Sequence, residues 1–187
     1  MPPESALRGN YVPLACHSWY SLLRGTDSIE LLCETASRQG FRALALTDVN
    51  ALYGALTFWE AARDADLTPL LGADITVPGS ARAVLLATGA RGYRRLCRII
   101  TESHRGDYAK APAPFSLRDL LLSDREGLWV LSADPGLLGD LARQSGNSHL
   151  AAIVAPGSPH LDVIAFARRA GVPAVAAGDI FFADPVS

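Results

Sequence analysis

Lysine is almost missing from this chain: Lys110 is the only one, and the positive charge rests on arginine. The 17 basic residues are outnumbered by 19 acidic ones, leaving a net charge of -2. A global basic field that would attract nucleic acid is excluded, so any DNA contact would need a local patch. Cysteine is scarce as well. Cys16, Cys33 and Cys97 lie far apart with no Cys-x-x-Cys pair, which argues against a zinc ribbon or a disulfide framework and for reduced thiols in a cytoplasm. The opening stretch MPPESALRGN lacks the apolar centre of a signal peptide, and no apolar run approaches membrane-spanning length. No Gly-x-Gly-x-x-Gly follows the first strand-like run, which disfavours a dinucleotide fold. Internal repeats, low-complexity tracts and clear linkers are missing too.

What remains is a chain of 187 residues, 49% hydrophobic, long enough to bury a sizeable core. It reads as a single domain over 1–187, with 1–10 as a flexible lead. Strand-like and helix-like segments alternate: YVPLAC, then SIELLCETASRQG behind an Asp27-Ser28 cap, then RALALTD and ALYGALTFWEAARDAD. TPLLGADITV and ARAVLLAT read as strands joined by a Pro-Gly-Ser turn at 78–80. RGYRRLCRIITESH places Tyr93, Leu96, Ile99 and Ile100 on one helical face. The alternation predicts parallel strands near 11–15, 42–47, 69–76, 83–87, 128–131, 150–154 and 173–177, apolar on both faces because helices cover them. A barrel-like α/β fold follows.

In such folds the working residues collect at the carboxyl ends of the strands. Those ends read Cys16-His17-Ser18, Thr47-Asp48-Val49-Asn50, Gly72-Ala73-Asp74, Ser132-Ala133-Asp134 and Gly178-Asp179. One histidine and several aspartates at one rim suit Zn, Mn or Mg and the metal-assisted hydrolysis of a phosphoester. Each aspartate has a plainer role open to it, as the cap of the following helix.

The order of HSWYSLLRG, ALALTDVNALYGALTFWEAARDADLTPLLGADI, GYRRLCRIITES and GVPAVAAGDIFFADP resembles the PHP (polymerase and histidinol phosphatase) domain. The likeness runs from about Tyr11 to Pro185. It is to the form found in bacterial polymerase III α subunits and error-prone DNA polymerases. The resemblance implies a distorted seven-stranded β/α barrel, or a reduced version of it, and a three-metal cluster at the strand ends. Where the family carries His-x-His, this chain reads Ala15-Cys16-His17. A downstream ligand position reads Arg24, the Thr-Asp-His motif reads Thr47-Asp48-Val49, and Gly-x-Glu becomes Gly72-Ala73-Asp74. A Cys- or His-bearing strand end reads Ser132-Ala133-Asp134, a later His position aligns with Pro156, and the closing Asp-x-His is Asp179-Ile180-Phe181.

The surviving metal positions on this reading are His17, Asp74, Asp134 and Asp179, remnants expected to be unoccupied. Arg24 or ordered water is expected to occupy the centre, with Arg24 favouring a salt bridge to Asp74 or Asp179. No cofactor is expected, or Zn, Mn or Mg if the remnant site works. The implied function is a degenerate, non-catalytic PHP domain acting as a scaffold in DNA replication or repair synthesis. Its partners would be polymerase domains beyond residue 187, if present, and a proofreading exonuclease or other replisome protein, with weak or absent DNA contact and no membrane. The alternative is a free-standing metal-dependent phosphoesterase or 3'–5' exonuclease. A third reading makes Trp19, Tyr20, Trp59 and Phe181 a small-molecule surface, against the expectation that such aromatics are buried packing residues.

Overall fold

In the computed structural model the described residues are 11–108, 115–155 and 160–181. The elements run α1 (Ile29–Arg38), β1 (Ala43–Leu46), α2 (Ala55–Asp64), β2 (Thr68–Ile75), β3 (Ala83–Ala87), α3 (Ala90–Tyr108), α4 (Leu117–Ser123), β4 (Leu128–Ser132), α5 (Pro135–Ser145), β5 (Leu150–Val154), α6 (His160–Ala170) and β6 (Ala174–Ala176). The helices begin where the sequence caps them. The Ser28 hydroxyl accepts from Leu31 N at 3.2 Å, and the Asp134 carboxylate accepts from Gly136 N and Leu137 N at 2.8 and 3.1 Å. Pro135 stands at the first turn of α5, where its missing N–H costs nothing.

Among the described residues six strands form one sheet in the order β1-β2-β3-β4-β5-β6, curled into a half-barrel with helices around it. The expectation of uniformly parallel strands is corrected: β3 is antiparallel to both β2 and β4, while the other three pairs are parallel. The reason is covalent. Only residues 76–82 separate β2 from β3, and a parallel crossover needs a dozen residues or more. The expected strand at 11–15 is corrected too. The segment there is extended but forms only an isolated bridge at Cys16, to Leu46 on one side and Ile180 on the other. Pro13 has no N–H to give a ladder.

That segment nevertheless spans the gap between the sheet's two edges. Pro13 O accepts from Ala45 N at 3.0 Å and Cys16 O from Thr47 N at 2.8 Å, while His17 N donates to Ile180 O at 2.9 Å and Ala15 O accepts from Ile180 N at 2.8 Å. Inside the curl the packed side chains are small or slender: Ala15, Ala45, Val84, Leu86, Leu131 and Ala151. A sheet bent this tightly leaves room for little more. Outside it, Leu85, Val130 and Leu150 meet Leu96 and Ile99 of α3 and Leu138 and Leu141 of α5, the burial that holds each amphipathic helix down. Leu44 and Leu46 pack with Phe58 of α2 and Leu32 of α1 in a second cluster. No helix among the described residues is long and apolar enough to cross a membrane.

Candidate metal-binding rim

The carboxyl end of β2, the hairpin that follows it, and the two extended segments at 13–17 and 177–181 meet at one rim. Asp74 lies one residue before the end of β2 and is fully buried. Its register is fixed from both sides: Asp74 N donates to Asp48 O at 3.2 Å, and Asn50 N donates to Asp74 O at 3.0 Å. The Asn50 side chain then grips the hairpin, donating to Thr76 O at 2.7 Å and accepting from Thr76 N at 2.9 Å. Asn50 does so from the left-handed region, with φ of 50°, which asparagine tolerates better than most residues.

The hairpin returns Arg82 over Asp74. Arg82 Nε donates to Asp74 Oδ1 at 3.0 Å and Nη2 to Asp74 Oδ2 at 2.7 Å, a two-pronged pair. The same Nη2 reaches Asp179 Oδ1 at 2.7 Å. Ser132 at the end of β4 anchors the arginine's backbone, its hydroxyl donating to Arg82 O at 2.6 Å. His17 completes the group, with Nε2 at 4.0 Å from Asp74 Oδ2 and 3.9 Å from Asp179 Oδ1. Both distances exceed hydrogen-bond length, and both ring nitrogens of His17 are buried without a hydrogen-bond partner among the described residues. Phe181 stacks on the imidazole at 4.6 Å between ring centroids and 16° between planes. His17 and Arg82 together hold the Asp179 carboxyl well below the usual carboxylate range, and the Asp74 hydrogen bond, ahead of Asp179, raises Arg82 despite its partial burial.

His17, Asp74 and Asp179 thus come together, each offering one atom within 4.8 Å of the others. Asp134 does not join them. Its carboxylate is spent on the N-terminus of α5, although it shares with Arg82, Ser132 and Asp179 the lining of a cavity of about 290 Å³. Asp48 is buried and fully engaged elsewhere, accepting from Ser18 N at 2.7 Å, Ser18 Oγ at 2.8 Å and Ser21 Oγ at 2.6 Å. It ties down the loop after His17. Gly25 closes that loop so tightly that a Cβ there would lie 2.0 Å from Ser18 O.

The expectation for Arg24 is corrected: its side chain is exposed, and Arg82 takes the central place instead. Arg82 lies outside every motif the resemblance supplies. The signal that could have found it is the Pro-Gly-Ser turn at 78–80, which folds residue 82 back toward the end of β2. The expectation of buried aromatics is corrected as well, since Trp19, Tyr20 and Trp59 are all exposed. Pro156 lies outside the described residues.

A three-metal cluster does not fit these side chains. Among the described residues the rim supplies three donor groups. Ala15, Val49 and Phe181 carry no ligand atom, and a permanent cation already bridges the two carboxylates.

A curled β/α sheet with a His- and Asp-bearing rim at its strand ends defines a class, the barrel-like α/β domains. Within it the chain belongs to the PHP domain family, whose model matches residues 13–155. The error-prone DNA polymerase of Pseudomonas syringae pv. syringae (strain B728a) is 32% identical over 186 residues, covering 91% of this chain and 18% of the polymerase. That of Symbiobacterium thermophilum is 40% identical over 102 residues, 54% of this chain and 9% of the polymerase. The chain therefore spans less than a fifth of the length of these curated relatives. Among solved structures, a candidate metal-dependent phosphoesterase from Bifidobacterium adolescentis superposes with a TM-score of 0.65 at 17% identity, covering 99% of this chain and 91% of its own. An amidohydrolase from Chromobacterium violaceum, with bound sulfate and no metal, gives 0.59 at 16% identity over 91% and 87%. At such identities the likeness is one of fold.

Proposed function

We propose that this chain is a non-catalytic PHP domain that acts as a cytoplasmic scaffold for a bacterial DNA polymerase of the error-prone or polymerase III α type, in replication or repair synthesis. One observation carries the reading: Arg82 spans Asp74 and Asp179 with a 2.7 Å contact to each. Catalysis by a metal cluster needs its carboxylates free for ions and a coordination position open for water. A guanidinium cannot be deprotonated to make way, and it supplies the positive charge the carboxylates require. His17, Asp74, Asp134 and Asp179 are on this reading remnants: Asp74 and Asp179 now pair with Arg82, Asp134 caps α5, and His17 lies stacked under Phe181. The named relatives support the parent activity, since each is a polymerase several times the length of this chain. Polymerase polypeptide is the first partner this implies, with a proofreading exonuclease or other replisome protein as further ones.

The rival reading, a free-standing phosphoesterase or 3'–5' exonuclease, draws on the unpartnered nitrogens of His17 beside two carboxylates. One experiment separates the two. The full chain is purified without chelator, its metal content is measured by elemental analysis, and hydrolysis of a model phosphodiester and a single-stranded oligonucleotide is followed with added Zn or Mn. The expected outcome is no stoichiometric metal and no hydrolysis. About one Zn or Mn per chain, with hydrolysis abolished by His17→Ala, would overturn the proposal.

A further inference from the structure

The helices α1 and α2 lie together on the outside of the sheet and leave a groove of about 370 Å³ between them. Four acids line it: Glu30 and Glu34 from α1, Glu60 and Asp64 from α2. None of them forms an ion pair with another described residue. Their field reaches the neighbouring thiol, for Glu30 and Glu34 add to burial in pushing Cys33 up to about 11.

Beside this acidic groove the surface turns apolar. Leu56 and Trp59 project from the adjacent row of α2 at helical spacing, 71% and 43% exposed, and Tyr53 before the helix is 72% exposed. Tyr20 links them to the loop, its ring 6.3 Å from Tyr53 and 6.3 Å from Trp19. In that loop Leu22 is 80% exposed, and Leu23 is wholly exposed. Leu23 also holds a φ of 63°, a conformation leucine adopts at a cost. A solitary exposed leucine needs no explanation, but a run of aromatic and aliphatic side chains bordering acids that lack ion pairs among the described residues marks an interaction site.

We propose that the α1–α2 face, extended by the loop around Leu22 and Leu23, docks a basic, apolar-anchored segment of DNA polymerase polypeptide. The choice of occupant rests on two observations and on the scaffold reading above. Four carboxylates with no ion-pair partner among the described residues repel nucleic acid and favour Lys- or Arg-bearing polypeptide. In the polymerase of Pseudomonas syringae the region matching this chain is only 18% of the whole, so a domain of this kind has a large body of polymerase to rest on. Exposed aromatics at the centre of such a face would be its anchors.

The test places a photo-crosslinking amino acid at position 56 or 23 of the full chain, expressed in its own host, and sequences the cross-linked peptides. Expected are peptides of net positive charge from a DNA polymerase polypeptide, joined to this chain or separate. Their yield should fall about tenfold with Trp59→Ala, and similarly with Glu34→Lys plus Glu60→Lys, while circular dichroism and melting temperature stay at the parent values. Cross-links to a second copy, to residues 1–10 or 182–187 of the same chain, or to DNA would overturn the docking proposal. So would a yield no higher than that from a probe at the exposed position 169. An inert chain without polymerase cross-links would defeat the docking alone. A metal-loaded, hydrolytic chain with them would defeat the non-catalytic reading alone.

Discussion

Arg82 is half-exposed while its main partner, Asp74, is entirely buried, and that asymmetry decides what its loss would do. Removing the guanidinium strands a buried carboxylate that, among the described residues, keeps only the Thr76 hydroxyl, 3.0 Å from Asp74 Oδ1, as a hydrogen-bond partner. Breaking a fully buried pair costs about 3–5 kcal/mol. Solvent screening at Arg82 lowers that here, and Arg82→Met is expected to cost about 2 kcal/mol in urea unfolding. The same site sets an acid limit. Because His17 and Arg82 hold the Asp179 carboxyl below its ordinary value of 3.8, the folded state favours its charged form. The stability this gives is fully present above that ordinary value and is lost as pH falls toward the folded one. Melting temperature measured from about pH 6 down to about pH 2 should therefore drop most steeply below 3.8, and the drop should be shallower in Arg82→Met. An equal slope in both proteins would show that Arg82 does not set the Asp179 titration.

At the scale of elements, what was legible in the sequence depended on whether the signal was local. Ser28 and Asp134 cap α1 and α5 through side-chain bonds to N–H groups two or three residues on, so the sequence neighbourhood contained the whole interaction. Asp134 shows the limit of the motif. Aligned as a ligand position, it is held by its own helix, and the two roles make different demands on chemistry. Asp134→Ser keeps an accepting oxygen and should be near neutral in thermal unfolding, whereas Asp134→Ala should cost about 1 kcal/mol. A loss just as large with serine would argue for a role beyond capping. The direction of β3 was legible but misjudged: the turn at 78–80 was visible, and its shortness dictates a hairpin. The partner of Asp74 was legible only through that same turn, which folds residue 82 back toward the end of β2. The positions of Arg24 and Arg82 relative to the two carboxylates depend on how the strands pair, and neither charge nor motif distinguishes two arginines before the register is known.

For the molecule as a whole, the strand runs, their order and the small side chains inside the curl follow from apolar segments spaced by capped helices. How the two edges are joined does not, because Pro13 removes the regular ladder that would have announced a seventh strand. The tightness of that interior makes a direct prediction. Ala45 is fully buried among Ala15, Val84, Leu131 and Ala151, with no space for added methylenes. Ala45→Leu should cost about 3 kcal/mol, or prevent folding where the core cannot shift. The exposed Arg169→Ala should leave the unfolding midpoint unchanged, as expected for a surface site.

The bridge from Cys16 to Leu46 and Ile180 also has a meaning in time. A ribosome releases the chain from its beginning, yet the segment at 13–17 cannot secure its second neighbour until residue 180 has emerged. His17 and Asp74 are made early and must wait for Asp179, which arrives last and brings Phe181 with it. Until then Arg82 has one carboxylate to hold, and the imidazole has no aromatic cover. The rim is thus assembled only once synthesis has passed β6 and Asp179, and a nascent chain halted before Asp179 should lack the acid-sensitive step in stability.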